Sequence, residues 1–126
     1  MPFKVLCIDD ERDVTDLVSF HLGKAGFEVI TASSGRAGLE AIGAGPPDLI
    51  ILDLMLPDID GFGICEILRR QSSTATLPIV ILSAWATTDA RSLGLELGAL
   101  DYITKPFSPK KLVERVVQLL ATRMSA

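Results

Sequence analysis

The stretch Leu-Ile-Ile-Leu-Asp-Leu-Met-Leu-Pro-Asp-Ile-Asp-Gly, residues 49–61, decides the fold. Leu49 to Leu52 is an unbroken apolar run. Successive side chains of a strand point to opposite faces, so such a run belongs to a strand buried on both sides. That is the pattern of a central strand in a parallel sheet. Asp53 stands at its carboxyl end. Pro57 to Gly61 has the chemistry of a turn. Asp60 is placed to cap a helix continuing through Ile64, Ile67 and Leu68.

The same alternation repeats outward from this segment. On the N-terminal side, Phe3 to Ile8 reads as a strand. A helical stripe of Val14, Leu17, Val18, Leu22 and Ala25 follows, stopped by Gly26. Phe27 to Thr31 is a second strand, and Ser34 caps a helix carrying Ala37, Leu39, Ala41 and Ile42 that ends at Gly43 to Pro47. On the C-terminal side, Pro78 to Leu82 is a fourth strand. Ala90, Leu93, Gly94 and Leu97 mark a helix stopped at Gly98, and Tyr102 to Thr104 is a short fifth strand. After Pro106, Leu112, Val116 and Leu119 or Leu120 mark the last helix. Strands alternating with helices are parallel and joined by right-handed crossovers. The expectation is an α/β fold: a doubly wound, five-stranded parallel sheet with helices on both faces, one domain over residues 1–126.

A chain of 126 residues can bury a core without disulfides or metal staples. With 48% hydrophobic and 22% charged residues, it is not a disordered tail. The net charge is −4 and no cationic cluster appears, so direct nucleic-acid binding is not expected. Cys7 and Cys65 lie far apart and form no CxxC pair. They read as buried free thiols, in keeping with a reducing cytosol. No signal-peptide layout and no run of membrane-spanning length are present, so the expectation is a cytoplasmic chain without a membrane contact.

In such sheets ligands bind at the carboxyl ends of the strands, near the switch point in strand order. Asp9 and Asp10 follow the first strand, Asp53 the third, Ser83 the fourth, and Lys105 with Pro106 the fifth. Three crowded carboxylates need a counter-charge. A hard divalent cation such as Mg²⁺ supplies it, because it takes a few carboxylate oxygens, keeps water ligands and bridges to phosphate. Asp53, the central carboxylate, is the candidate nucleophile, since a carboxylate can attack phosphorus to give an acyl phosphate. Lys105 offers a cation to the developing charge, and the Ser83 hydroxyl a hydrogen bond. Taken singly, each has a plainer reading. Asp10 caps the first helix, with Glu11 and Asp13 complementing its dipole. Asp53 is a loop carboxylate, Ser83 a turn residue, and Lys-Pro a common loop dipeptide. No capping argument predicts their shared location at one sheet edge. His21 continues the first helical stripe and reads as structural. Asp58-Ile59-Asp60-Gly61 superficially suggests a calcium loop. With Gly61 at the invariant glycine, Leu56 and Ile67 would fall on ligand positions, which excludes it.

The stretches IDDE (residues 8–11), LIILDLMLPDIDG (49–61), ILSA (81–84) and DYITKPF (101–107) together resemble a response-regulator receiver domain, over essentially the whole chain. The resemblance implies a flavodoxin-like (βα)5 fold with strand order 2-1-3-4-5. It implies that Asp53 is the phosphoacceptor, that Asp10 and Asp53 bind Mg²⁺ directly together with the main-chain carbonyl of Met55, and that Asp9 acts through metal-bound water. Lys105 would contact the phosphoryl group, beside a cis Lys105–Pro106 bond. Ser83 would move toward the phosphate and Tyr102 swing inward behind it. The implied donor is a sensor histidine kinase or a histidine phosphotransfer protein.

The last third, GLELGALDYITKPFSPKKLVERV, resembles receivers of winged-helix transcription factors, a group that dimerises through helix four, strand five and helix five. Arg91, Asp101 and Arg115 match its charged positions, and Leu95 and Val113 its apolar patch. Lys111 stands where an acid is usual, and Leu97 and Leu100 where polar residues are common. Met55 and Trp85, two residues beyond Asp53 and Ser83, carry no group that positions a hydrolytic water, which implies slow self-dephosphorylation. The Trp85 ring either screens the site or lies on the surface loop.

Three rival functions compete with that resemblance. A phosphatase of the haloacid-dehalogenase kind needs an acid where Met55 stands. A flavodoxin-like electron carrier needs a Ser/Thr/Gly loop after the first strand, where Asp9 to Asp13 repels phosphate instead. A pseudo-receiver would only bind partners.

Overall fold

The computed structural model describes residues 2–125, with side chains up to residue 122. Its elements are β1 (Lys4–Ile8), α1 (Arg12–Lys24), β2 (Glu28–Ala32), α2 (Gly35–Ala44), β3 (Leu49–Leu52), α3 (Gly61–Arg69), β4 (Ile79–Ser83), α4 (Thr88–Glu96), β5 (Asp101–Thr104) and α5 (Pro109–Ser125). All strand pairs are parallel, and the sheet order is β2-β1-β3-β4-β5. The expected strands are thus found with shifts of a residue or so at their ends. α5 continues through Ser125, beyond the Leu119 or Leu120 at which the sequence stripe ended.

Alternation along the strands divides the core into two layers. Leu6, Ile8, Ile50, Leu52, Ile79 and Ile81 face one cluster with Ile42 of α2 and with Phe62, Ile64, Cys65 and Leu68 of α3. Val5, Cys7, Leu49, Ile51, Val80 and Leu82 face the other, with Val18 and Leu22 of α1 and Leu112, Val116 and Leu120 of α5. Both cysteines are free and buried, and burial pushes the Cys7 thiol up to about 12 and the Cys65 thiol up to about 11. They stay protonated packing groups.

Four stripe positions fall outside this core. Leu17, Ala25, Ile67 and Leu93 are exposed. At α4 the cause is plain. Its buried residues are Ala90 and Gly94, and a Cβ on Gly94 would come within 2.6 Å of Ile81 Cδ1. The helix lies close on the sheet through small residues, which leaves the longer leucines Leu93 and Leu95 on its outer flanks.

The β3–α3 loop is folded tightly back on itself. Gly61 N donates to the Leu54 carbonyl at 3.1 Å. A Cβ on Gly61 would stand 2.6 Å from Leu54 Cα and 2.7 Å from the Asp53 carbonyl oxygen. Backbone cannot move aside as a flexible side chain does, so Gly61→Ala should destabilise the fold by about 1–3 kcal/mol, the usual range for overpacking. Chemical denaturation measures this, and an unchanged midpoint would mean that the loop gives way freely.

Candidate phosphoacceptor and metal site

Register brings the site together. Ile8 pairs with Leu52, and Ser83 with Thr104. The ladder continues one step further on both sides, with Asp53 N donating to the Ile8 carbonyl at 3.0 Å and Lys105 N to the Ser83 carbonyl at 2.9 Å. The residues that leave β1, β3, β4 and β5 therefore emerge side by side. Asp9 and Asp53 are nearly closed to solvent, at 2% and 3% exposure, although both carry carboxylates. Asp10 is exposed, yet one carboxylate oxygen from each of Asp9, Asp10 and Asp53 lies within 4.8 Å of the others.

Lys105 is the cation among them. Its Nζ lies 2.8 Å from Asp9 Oδ2, 3.0 Å from Glu11 Oε1 and 3.3 Å from Asp53 Oδ2. Burial alone would push this ammonium down, but Asp9, Glu11 and Asp53 outweigh that and hold it above the ordinary lysine value. Asp9 is raised as well, which for a carboxyl favours the neutral form. Burial raises it, and the nearby Asp53 adds to the rise, while Lys105 and the Glu11 amide only partly offset it. Asp9 Oδ1 accepts from Glu11 N at 2.9 Å. Its Oδ2 has the Lys105 charge beside it but, among the described residues, no donor in hydrogen-bonding orientation. A buried carboxylate oxygen in that condition, in a group of three acids with one lysine, is a fit place for a hard cation. The acidic pocket can hold a metal.

The remaining predicted residues are placed as follows. Met55 N donates to Asp53 Oδ1 at 3.2 Å, and its side chain is exposed. Ser83 is the last residue of β4 and fully buried; its Oγ accepts from Trp85 N at 3.3 Å, and among the described residues no hydrogen bond joins it to Asp53. Tyr102 lies inside, 3% exposed, and its hydroxyl donates to the Trp85 carbonyl. The Lys105–Pro106 bond is cis. Trp85 is 43% exposed, tilts against Phe62 with ring centroids 5.7 Å apart, and forms a recess with Met55 and Ala84.

Asp10 is not the cap of α1. That place belongs to Glu11, which makes no side-chain cap bond, while Asp9 takes up the Glu11 amide. Asp10 is thereby left free to face the pocket. Sequence reasoning also missed the Glu11 contact with Lys105, for which the only signal was its place in the IDDE run. His21 lies partly buried on α1, edge-on to Phe20, in a groove with Lys24 and Val113.

On the α4–β5–α5 side, Arg91 sits over the Tyr102 ring at 5.2 Å, Arg115 Nε binds Asp101 Oδ2 at 2.8 Å, and Leu95 is exposed. Val113 does not join them. It lies on the flank of α5 that faces α1, in the groove it shares with His21 and Lys24.

The family model of the response regulator receiver domain matches residues 5–117. The alkaline phosphatase synthesis transcriptional regulatory protein PhoP of Bacillus subtilis is 44% identical over 117 residues, which are 93% of this chain and 48% of that protein. The chain thus spans about half the length of the curated relatives it matches. Among solved structures, chemotaxis response regulator CheY4 of Vibrio cholerae is 32% identical at a TM-score of 0.87, covering 94% of this chain and 98% of that one. The receiver domain of Francisella response regulator 1452 is 34% identical, also at 0.87, covering 97% and 98%. Among the described residues, no helix is long and apolar enough to cross a membrane. Shared sequence, shared strand order and an acidic pocket at the sheet edge agree: this chain belongs to the response regulator receiver domain family.

Proposed function

We propose that Asp53 accepts a phosphoryl group from a sensor histidine kinase or a histidine phosphotransfer protein, with Mg²⁺ as cofactor. The observation that carries this reading is the buried Asp53 carboxylate beside Asp9, Asp10 and the Lys105 ammonium. An Asp53 carboxylate oxygen forms the new bond to phosphorus, while the bond from phosphorus to the donor breaks and its electron pair leaves with the donor. Asp10, Asp53 and the Met55 carbonyl would hold the metal, and Asp9 would act through water rather than directly. The metal supplies charge neutralisation for the transferred oxygens. Lys105 supplies a fixed positive charge at the same place, and Ser83 a hydroxyl. The protein is a regulatory phosphoacceptor that catalyses only its own phosphorylation and slow dephosphorylation.

The phosphoryl group adds charge and acceptor oxygens. Contacts made only in that state shift Ser83, Trp85 and Tyr102, which are already linked through the β4–α4 loop, and with them the α4–β5–α5 face. That face, around Arg91, Leu95, Asp101 and Arg115, controls an output domain or partner and is the candidate surface for a homodimer. This segment does not bind nucleic acid itself, acts as a single receiver domain, and works in the cytoplasm. Incubation with acetyl phosphate and Mg²⁺ followed by peptide mass spectrometry tests the reading: one phosphoryl group on Asp53 supports it, and none on the wild type overturns it.

The Trp85 ring, with Met55, forms an apolar rim by the site and offers no group to orient water. Trp85→Ala should shorten the phosphoryl half-life several-fold. Equal half-lives for variant and wild type would dismiss the screen.

A further inference from the structure

The Asp58 carboxylate, on the loop between β3 and α3, is taken up by main-chain amides. Its Oδ1 accepts from Gly35 N at 2.8 Å and from Ile59 N at 2.9 Å, and its Oδ2 accepts from Arg36 N at 2.9 Å. Gly35 and Arg36 open α2, so an acid from a distant loop satisfies amides that a helix start leaves free. Ser34, the local cap, serves only Ala37 N, at 3.1 Å. These amides hold the Asp58 carboxyl below the usual carboxylate range.

The fit is close, since a Cβ on Gly35 would lie 3.0 Å from Ile59 Cβ. The loop thus has two fastenings. Its foot is held where Gly61 meets the backbone of Leu54, and its tip where Asp58 meets α2. Between them lies Met55, whose amide orients Asp53.

Resting on the reading of Asp53 as phosphoacceptor, we infer that Asp58 is a positioning residue for that chemistry: by tying the loop tip to the start of α2, it fixes the main chain at Met55 and hence the Asp53 carboxylate and the Met55 carbonyl. Asp58 touches neither the phosphoryl group nor the metal. Supporting residues of this kind act by holding ligands in place, and their loss weakens metal binding without removing a ligand.

The experiment compares wild type, Asp58→Ala, Asp58→Asn and Ser34→Ala. Ser34→Ala removes a cap from α2 without touching the loop, so it reports what lost capping alone does. Three quantities are read: amide hydrogen exchange in the metal-free protein, Mg²⁺ affinity from NMR titration, and the rate of labelling by acetyl phosphate. Asp58→Ala should speed exchange across residues 54–60, weaken Mg²⁺ binding about tenfold and slow labelling in step. Asp58→Asn keeps an acceptor oxygen and should recover part of the loss. Ser34→Ala should lower the melting midpoint and leave Mg²⁺ affinity unchanged. Wild-type Mg²⁺ affinity in Asp58→Ala, or an equal loss in Ser34→Ala, would reduce Asp58 to a helix cap and overturn the inference. A wild type that takes no phosphoryl group overturns the reading of Asp53 and the inference with it, whereas a labelled wild type beside an unaffected Asp58→Ala overturns the inference alone.

Discussion

An Asp53→Asn protein should stay unlabelled in acetyl phosphate and Mg²⁺, while the wild type should gain a phosphoryl group. The substitution replaces an oxygen by a nitrogen of nearly equal size. The amide is no nucleophile toward phosphorus and carries no charge for a metal. The variant keeps an acceptor oxygen for Met55 N or Lys105 Nζ, so its fold should survive. It also removes one of three crowded carboxylates, and a like charge taken from such a cluster relieves repulsion. The expected pattern is therefore lost labelling with a melting midpoint equal to or above that of the wild type. Labelling at the wild-type rate would show that the phosphoryl group goes elsewhere.

Lys105→Met should damage both stability and chemistry. The lysine side chain is 11% exposed and faces Asp9, Glu11 and Asp53. Removing one partner of a buried ion pair leaves charge without compensation, at a cost of about 3–5 kcal/mol. The exposed Glu11 rehydrates and Asp10 already meets water, which places the loss at the low end of that range. Labelling should slow about a hundredfold, as when one fixed donor to a transition-state charge is removed.

The pH dependence separates this effect from lost packing. Asp9 titrates above its ordinary 3.8 in the folded protein. The folded state therefore holds a proton there that the unfolded chain releases, and stability falls as pH rises through that window. Lys105 titrates above its ordinary 10.5, so its contribution is complete below that value and is lost only as pH rises through the raised one. Without Lys105, Asp9 rises further. The deficit of Lys105→Met in metal-free protein should be largest near neutral pH and shrink on acidification as Asp9 takes up its proton. Urea denaturation at pH 7.5 and pH 5 reads the difference. A deficit that does not change with pH would assign the loss to packing alone.

Much of this site was legible because strand ends are legible. Leu49 to Leu52, Phe3 to Ile8 and Pro78 to Leu82 are apolar runs whose ends the chemistry-bearing residues mark, and parallel register does the rest. What escaped was whatever depended on the third dimension. Taken singly, Asp10 suits a cap because caps are local, but Asp9 takes the Glu11 amide and Glu11 holds the cap position, while Asp10 stands in the acidic group. Asp58 belonged to a rejected calcium loop, and no pattern within that loop announces a partner 23 residues earlier. Leu93 continued a helical stripe, but spacing alone does not reveal how closely Gly94 brings α4 to the sheet. Val113 was grouped with Leu95 on the resemblance to winged-helix receivers, but it lies two residues from Arg115 on α5, and two residues along a helix turn a side chain to another flank.

The shallow seat of α4 also sets how silent the unphosphorylated state can be. A helix held on the sheet by an alanine and a glycine gives up little apolar contact when it shifts. A modest difference in binding energy then suffices to move it, which suits a signal made of one phosphoryl group and a few hydrogen bonds. The same small gap lets resting molecules visit the shifted arrangement unprompted. Sensitivity and leak are thus two faces of one packing choice. Even a methyl group at Gly94 would meet Ile81, so the seat cannot be deepened there without moving the helix.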